Sequence, residues 1–459
     1  MTTHSTEAPT QGQPRQKNFR KTILVMLTAA MVINYMDRSA LAVAMPFITE
    51  DFHLTDVEKG LIFSSFSVGY ALFNFLGGVL SDKFGAKKVF VWAMVFWSVM
   101  CGLTAGAFNF WTLLIARALF GIGEGPISTT ANKMVNNWFP LRERARSVGI
   151  NQAGGPLGGA LSGPVVGFLA LTFGWRVAFI LIALIGLTWA LIWRLVATDN
   201  PRDNKRVSDR EIAEIDETDA VEETAVEQTA TGEKPSMWKA ILQPAILATA
   251  LSLFCYNYIL FFFLTWFPVY LVDAQGVSLR DMSIVTAIPW IIGAAGYLGG
   301  GYLIDYIFTH TGKQFFSRKV VLVTCLITSA LCVGVTSTAS TATSAVILMT
   351  IAVGFLMLAA PAYWTLIQDA APKEYVGSAG GLMHGLANIS GIIAPTVTGF
   401  IVATSSYSGA FVLAGALGVL GAMIVWIFVR HQKAHGVDVP VAQNPSGIAS
   451  GNSSTGATK

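Results

Sequence analysis

The chain has 459 residues, of which 53% are hydrophobic and only 12% charged, with 44 Gly and a net charge of +3. Charged residues make up about 25% of an ordinary soluble domain, so this composition excludes one. The basic residues are spread over loops and form no patch, so the charge gives no ground for expecting nucleic acid.

A helix crosses the bilayer with roughly 20 apolar residues. The chain offers twelve such runs, near 22–47, 57–80, 88–108, 111–138, 146–171, 175–197, 241–272, 280–306, 318–337, 341–368, 375–402 and 407–430. The first 18 residues are polar and no A-x-A cleavage site precedes Leu24, so the first span is expected to be retained rather than removed as a signal peptide. Cys101, Cys255, Cys325 and Cys332 all fall inside apolar runs, with no C-x-x-C or His/Cys cluster. Neither a disulfide nor a metal site is expected.

Lys and Arg collect on alternate loops. Arg15, Lys17, Arg20 and Lys21 precede span one, and Lys83, Lys87 and Lys88 follow span two. Arg142, Arg144 and Arg146 follow span four, Arg202, Lys205, Arg206 and Arg210 follow span six, and Lys313, Arg318 and Lys319 follow span eight. The opposite loops hold only Lys59, Arg176 and Arg280. The positive-inside rule then places both termini in the cytoplasm, which requires an even number of spans.

The polar interval 198–240 divides the spans into two sets of six. Ser208 and Glu211 read as a capping box for a short helix ahead of Ile212 and Ile215, and the acidic, Thr-rich stretch that follows cannot bury a core. The expected organisation is a cytoplasmic tail over 1–19, a six-helix bundle over 20–197, a cytoplasmic linker over 198–240, a second bundle over 241–431 and a disordered tail over 432–459. The halves share a pattern. Span two ends in GGVLSDKFGAKK, and span eight repeats Gly301-x-Leu303-x-Asp305 before reaching Arg318 and Lys319. An acid at a helix end followed by bases offers a breakable ion pair, worth only ~0–1 kcal/mol when exposed, to a neighbouring helix. Asp82, Lys83, Lys87, Lys88 and Asp305 are therefore expected to form a cytoplasmic gate.

Four charges interrupt the apolar runs: Asp37 and Arg38 in span one, Arg117 and Glu124 in span four. Each costs ~2.5–3.5 kcal/mol on insertion scales, so such groups usually face a protein interior or a water-filled path and have a job there. Two acids and two bases suggest a membrane transporter that handles an anion and protons. Arg117 and Glu124, seven apart, share a helix face at about 10 Å. Asp37 and Arg38 leave their helix about 100° apart, so one can look into a cavity while the other reaches a neighbour. A bridge from Asp37 to Arg117 is geometrically reasonable. A guanidinium can grip a carboxylate bidentately, which makes Arg38 the first choice for an anionic substrate. Asn34, one turn earlier, shares its face, and Tyr35 and Tyr70 can donate to hydroxyls. An acid that exchanges protons near neutrality needs desolvation in a closed cavity, while a nearby arginine pulls the other way. Coupling through Asp37 and Glu124 can arise from that contest. Spans seven to twelve offer polar and aromatic candidates instead: Tyr256, Asn257, Trp266, Trp364, Thr365, Gln368, His384 and Asn388.

Over nearly its whole length the chain resembles the major facilitator superfamily. The signature G-x-L-[SA]-D-[KR]-x-G-x-[KR]-[KR] is met by Gly78, Leu80, Ser81, Asp82, Lys83, Gly85, Lys87 and Lys88. Within it, the stretches NYMDRSALAVA, ARALFGIGEGP, FFFLTWFPVYL and YWTLIQDAAPKEYVGSAGG are similar to the anion:cation symporter family, especially bacterial galactonate and glucarate/galactarate transporters. The resemblance implies an all-α polytopic membrane protein, with twelve transmembrane helices in two pseudo-symmetric six-helix bundles around a cavity and alternating access by rocking. It also implies a proton-coupled symporter in a bacterial inner membrane, importing a hexonate or hexarate as a monomer, with no cofactor but protons. By the same resemblance Arg38 falls at the carboxylate-binding Arg, Arg117 at the Arg associated with coupling, Tyr35 and Tyr70 at substrate-contacting positions, and Trp364 at a cavity tryptophan. Two positions depart from it: Gly155 stands where those transporters have Gln, and His384 where they have Asn.

A monocarboxylate entering with two protons carries one net positive charge inward and gains ~2.3 kcal/mol per 100 mV. The competing readings are a transporter of an aromatic or short hydroxy acid, and a non-transporting receptor. An enzyme would need a clustered His/Asp/Glu or nucleophile site near an interface, which the sequence lacks. A channel would have no need of titratable acids beside substrate arginines.

Overall fold

A computed structural model describes residues 18–215, 238–239, 242–371 and 375–429. The whole acidic, Thr-rich stretch and the whole C-terminal tail lie outside the described residues. The described helices are α1 (Phe19–Phe52), α2 (Asp56–Phe84), α3 (Ala86–Thr104), α4 (Phe110–Glu124), α5 (Ile127–Trp138), α6 (Leu141–Phe173) and α7 (Trp175–Val196) in the first half. The second half holds α8 (Pro244–Asp273), α9 (Leu279–Val285), α10 (Ala287–Thr311), α11 (Gln314–Thr336), α12 (Ala342–Ala370), α13 (Val376–Asn388), α14 (Ser390–Thr404) and α15 (Tyr407–Phe428). Three spans are broken: α4 and α5 at Gly125-Pro126, α9 and α10 at Thr286, and α13 and α14 at Ile389. Pro126 cannot donate a backbone hydrogen bond, which accounts for the first break.

Eleven of the resulting stretches are long and apolar enough to cross a membrane. The twelfth, α2, carries Ser64, Ser65, Ser67 and Asn74 and is packed between α4 and α14. The large apolar side chains left exposed, such as Leu72, Trp92, Phe168 and Leu195, suit lipid and would be a liability in water.

Helix neighbours repeat between the halves. The contact of α1 with α6 recurs as α8 with α13 and α14, that of α2 with α4 as α10 with α12, and that of α3 with α7 as α11 with α15. The halves meet through α2 against α14, α6 against α9 and α10, and α1 against α8. Glycines on α6 make this possible. Gly154 and Gly158 lie against the α1 backbone at Thr28 and Val32, while Gly159 meets the Trp290 ring and Gly163 meets Ser283 of the other half. Small residues at a crossing let membrane helices approach closely, and here one helix does so on both flanks.

At the end remote from the chain termini, the halves are tied by polar contacts. Lys59, only 4% exposed, pairs with Asp273 of α8 at 3.1 Å and with Asp56 at 2.7 Å. Ser64 donates to the Ile392 carbonyl at 2.7 Å, and Trp266 Nε1 donates to the Pro395 carbonyl at 3.1 Å within the second half. Replacing Lys59 by Met leaves Asp56 and Asp273 facing each other without their shared cation. Cysteines placed at 64 and 396, positions whose hydroxyls lie 2.7 Å apart, should then crosslink severalfold less readily than in the Lys59 background. An unchanged crosslinking yield would show that Lys59 does not hold this end shut.

At the opposite end, residues 209–215 are helical, as the Ser208 signal suggests. The capping box is only half formed. Ser208 Oγ accepts from the Glu211 amide at 3.4 Å, but the Glu211 carboxylate turns to the start of α1, accepting from the amides of Phe19 at 3.2 Å and Arg20 at 2.8 Å. Those amides have no partner inside their own helix, and the helix dipole favours an anion there. Arg20 completes the dock by pairing with Glu214 at 2.8 Å. Glu211→Ala should destabilise the purified protein by about 1–3 kcal/mol, read as a lowered thermal midpoint, because it strands buried donors. A midpoint equal to that of wild type would mean the dock contributes nothing.

Candidate substrate cavity

Straight helical geometry on α1 puts Asn34 and Arg38 one turn apart on the same face. The Arg38 guanidinium donates to Asn34 Oδ1 at 3.2 Å and to a single Glu124 oxygen, Oε2, at 2.8 Å from Nη2 and 3.1 Å from Nε. It is also walled by rings: its carbon lies 5.1 Å from the Tyr35 centroid, 4.9 Å from Phe66 and 4.8 Å from Tyr70. A bridge between spans one and four therefore exists, but it joins Arg38 to Glu124, and the bridge from Asp37 to Arg117 is not formed. Asp37 is fully buried and accepts from Trp97 Nε1 of α3 at 3.1 Å. Arg117 stacks on Phe120, 4.2 Å from its centroid. Asp37, Arg117 and Glu124 are near enough to act on one another electrostatically. Asp37 Oδ1, Glu124 Oε1, and Arg117 Nε and Nη1 are buried with no hydrogen-bond partner among the described residues. The cluster is neutral overall but under-bonded, so a proton or an anion has something to gain there.

Tyr35 faces both ways. One flank touches Arg38, and the ring lies edge-on to Trp290 of α10 at 6.2 Å, across the boundary between the halves. A Cβ on Gly155 would come within 3.0 Å of the Tyr35 ring, so the glycine gives that ring its place against α6. Beyond it opens a cavity of about 140 Å³ between the halves. Drug-sized ligands occupy ~300–1,000 Å³, so this space suits a small metabolite. Gln152 and Tyr35 line it from the first half, and Tyr256, Asn257, Trp364 and His384 from the second. Tyr70 stacks on Phe66 at 5.6 Å, beside Arg38 rather than in the cavity wall.

Other second-half candidates fall elsewhere. Trp266 binds the closed end, Thr365 bonds back to its own helix at Ala362, and Asn388 is half-buried outside the lining. The Gln368 side chain lies outside the described residues. Sequence reasoning missed Trp290 and Tyr297, which line the cavity, and Trp97, which holds Asp37. The first two stand seven apart on α10 and so share a face, a spacing that could have flagged them.

The major facilitator superfamily model matches residues 27–395 and 312–455. The chain belongs to that superfamily. Its members are membrane transporters, not enzymes. A hexuronate transporter of Bacillus subtilis is 48% identical over 433 residues, covering 94% of this chain and 97% of that protein. A probable sulfoacetate transporter of Cupriavidus necator is 35% identical, covering 88% and 92%. A probable galactarate/D-glucarate transporter of Escherichia coli K12 is 32% identical, covering 89% and 94%. Among solved structures, the inward-open xylose transporter of E. coli superimposes with a TM-score of 0.70 at 17% identity, over 91% of this chain and 98% of that one. That likeness establishes the fold.

In the superfamily signature at the end of α2, the acid finds its partner on a neighbouring helix of the same half. Asp82 pairs with Lys133 of α5, in its own half, and Lys133 also donates to the Ser81 carbonyl at 3.0 Å. Gly85, at φ 88°, lies against the Asp199 carboxylate, which accepts from the Lys87 amide at 2.7 Å. Only glycine adopts that backbone without strain. Lys83 lies 5.3 Å from the Phe84 ring. Lys88 is exposed, as is Asp305, which makes no ion pair among the described residues. The motif thus braces α2, α3 and α5 as one block.

Proposed function

We propose that this chain imports a sugar-acid anion together with protons, and that a hexuronate is its first candidate substrate. The observation that carries the reading is the buried pair of Arg38 and Glu124, beside Tyr35 at the edge of a small cavity between the halves. A carboxylate is the natural competitor for that guanidinium. Glu124 occupies it through one oxygen, so protonation of Glu124 would release Arg38 to grip the substrate. Asp37 takes a coupled role through Arg117. The relative named for hexuronate shares 48% of its residues with this chain, and the galactarate/glucarate relative shares 32%, which orders the candidates. The positive-inside pattern supports cytoplasmic termini in a bacterial inner membrane. The Lys59 end is then the outer one, and the form described is closed to the outside.

Uptake of labelled D-glucuronate, D-galacturonate, D-galactonate and galactarate into cells expressing the chain would test this. Saturable, proton-gradient-dependent uptake of a hexuronate is expected. Uptake of sulfoacetate but no sugar acid would favour a short-anion carrier instead, a reading that rests on the 35% relative.

A further inference from the structure

A second hollow, sharing no lining residue with the central cavity, lies on the flank of the first half. It is a groove of about 680 Å³ between α2, α3 and the break from α4 to α5. Phe73 and Leu80 line it from α2, Trp92 and Phe96 from α3, and Gly123 and Pro126 from the break. It opens sideways. Trp92 is 73% exposed, Phe84 and Phe96 are exposed beside it, and Val99 and Leu103 of the same α3 are exposed as well. On a membrane helix such a flank meets lipid tails, which are as apolar as leucine. The groove is long rather than round. At 1.5 Å per residue it follows α3 for about 12 Å from Lys88 to Phe96, and α2 for about 16 Å from Phe84 to Phe73.

One end of the groove carries charge. Of its lining residues only Lys88 is charged, and Lys83 Nζ lies 5.3 Å from the ring of Phe84, which lines the same end. Neither lysine makes an ion pair among the described residues. The nearby acids are engaged elsewhere, Asp82 with Lys133 and Asp199 with the Lys87 amide. Two uncompensated cations thus stand where α2 and α3 leave the hydrocarbon. Basic groups at that level attract acidic headgroups, and a lysine stem is long enough to lie along apolar surface while its ammonium reaches a phosphate. A partner helix or an apolar solute could use the walls but has no need of the lysines. We propose that this groove holds an anionic phospholipid, with one acyl chain along α3 between Trp92 and Gly123 and its phosphate between Lys83 and Lys88. The inner end of that chain lies behind the charged cluster. A Cβ on Gly123 would come within 2.7 Å of Trp97, whose indole holds Asp37, and the next residue is Glu124. The lipid therefore bears on the helices that carry the coupling acids, whatever anion the chain transports.

Native mass spectrometry of the purified protein, titrated with dioleoyl phosphatidylglycerol or dioleoyl phosphatidylcholine, counts the lipid retained. Phosphatidylglycerol should be held at least about fivefold more tightly, since each cation near a headgroup adds about that factor. Lys88→Gln should remove most of the preference. Lys313→Gln, at an exposed lysine of the matching loop in the other half, should leave it intact. Leu80→Trp fills the groove and should weaken both lipids by about fivefold or more. Trp92→Ala, at an exposed position, carries that arm should Leu80→Trp fail to fold, with a loss of about threefold. Equal loss of preference from Lys88→Gln and Lys313→Gln would reduce the attraction to a general effect of surface charge and overturn the site. Undiminished retention by both groove variants would place the chain elsewhere, and equal retention of the two lipids by wild type would remove the headgroup contact; either result overturns the proposal.

Discussion

An Arg38→Ala protein should lose sugar-acid binding by about a hundredfold or more, equivalent to about 2.7 kcal/mol. Charge-assisted bonds from a guanidinium to a carboxylate are about twice as strong as neutral ones, and Arg38 lies just behind the cavity wall, against the Tyr35 ring that lines it. The substitution also strands Glu124, which is fully buried. Removing one member of a buried pair can cost about 3–5 kcal/mol of stability, so a loss of binding by the single variant could reflect unfolding. The Arg38→Gln, Glu124→Gln double variant avoids that charge and should fold with a near-normal thermal midpoint while still failing to bind. Arg38→Lys keeps the charge but not the planar fork that stacks on Tyr35, Phe66 and Tyr70, and should lose about tenfold. Full binding by the double variant would remove Arg38 from the substrate site.

Much of this arrangement is legible in the chain because a bilayer imposes strong rules. Apolar runs of fixed length give the spans, and the expense of a buried charge singles out Asp37, Arg38, Arg117 and Glu124. What could not be read is which charge meets which. Asp37 and Arg38 point about 100° apart, so a modest rotation of α1 decides whether the acid or the base faces α4. That rotation is set by Gly154 and Gly158 of α6 closing on Thr28 and Val32, a contact between residues more than a hundred positions apart. The same limit explains Asp82. Its acid at a helix end is evident, but its pairing with Lys133 inside one half depends on how α5 restarts after Gly125-Pro126. Trp97 was invisible as a partner for Asp37 because a tryptophan in an apolar run looks like packing until its indole N–H is seen to donate. Glu211 shows the converse. Local pattern placed it in a helix start correctly, yet its carboxylate serves a different helix.

Glu124→Gln should uncouple the carrier rather than stop it. A glutamine resembles the protonated acid, so Arg38 would be released at every pH, and substrate affinity should lose the strengthening on acidification expected of wild type. Exchange of labelled for unlabelled substrate across the membrane needs no proton movement and should continue. Uphill accumulation should vanish. For two protons entering with one monocarboxylate, 100 mV (inside negative) supplies ~2.3 kcal/mol, or about fiftyfold accumulation, whereas the variant should never exceed the outside concentration. Asp37→Asn should behave alike for accumulation, since the amide can still accept from Trp97 while giving up the charge that balances Arg117. The two acids differ in one respect. Only Glu124 touches Arg38, so only its replacement should make substrate affinity indifferent to pH, whereas Asp37→Asn should keep a pH-dependent affinity. Reconstituted vesicles with an imposed proton gradient can read accumulation, exchange and affinity in one preparation. A Glu124→Gln protein that still concentrates substrate would sever Glu124 from coupling, and one that binds no substrate would mean its carboxylate positions Arg38 instead of competing for it.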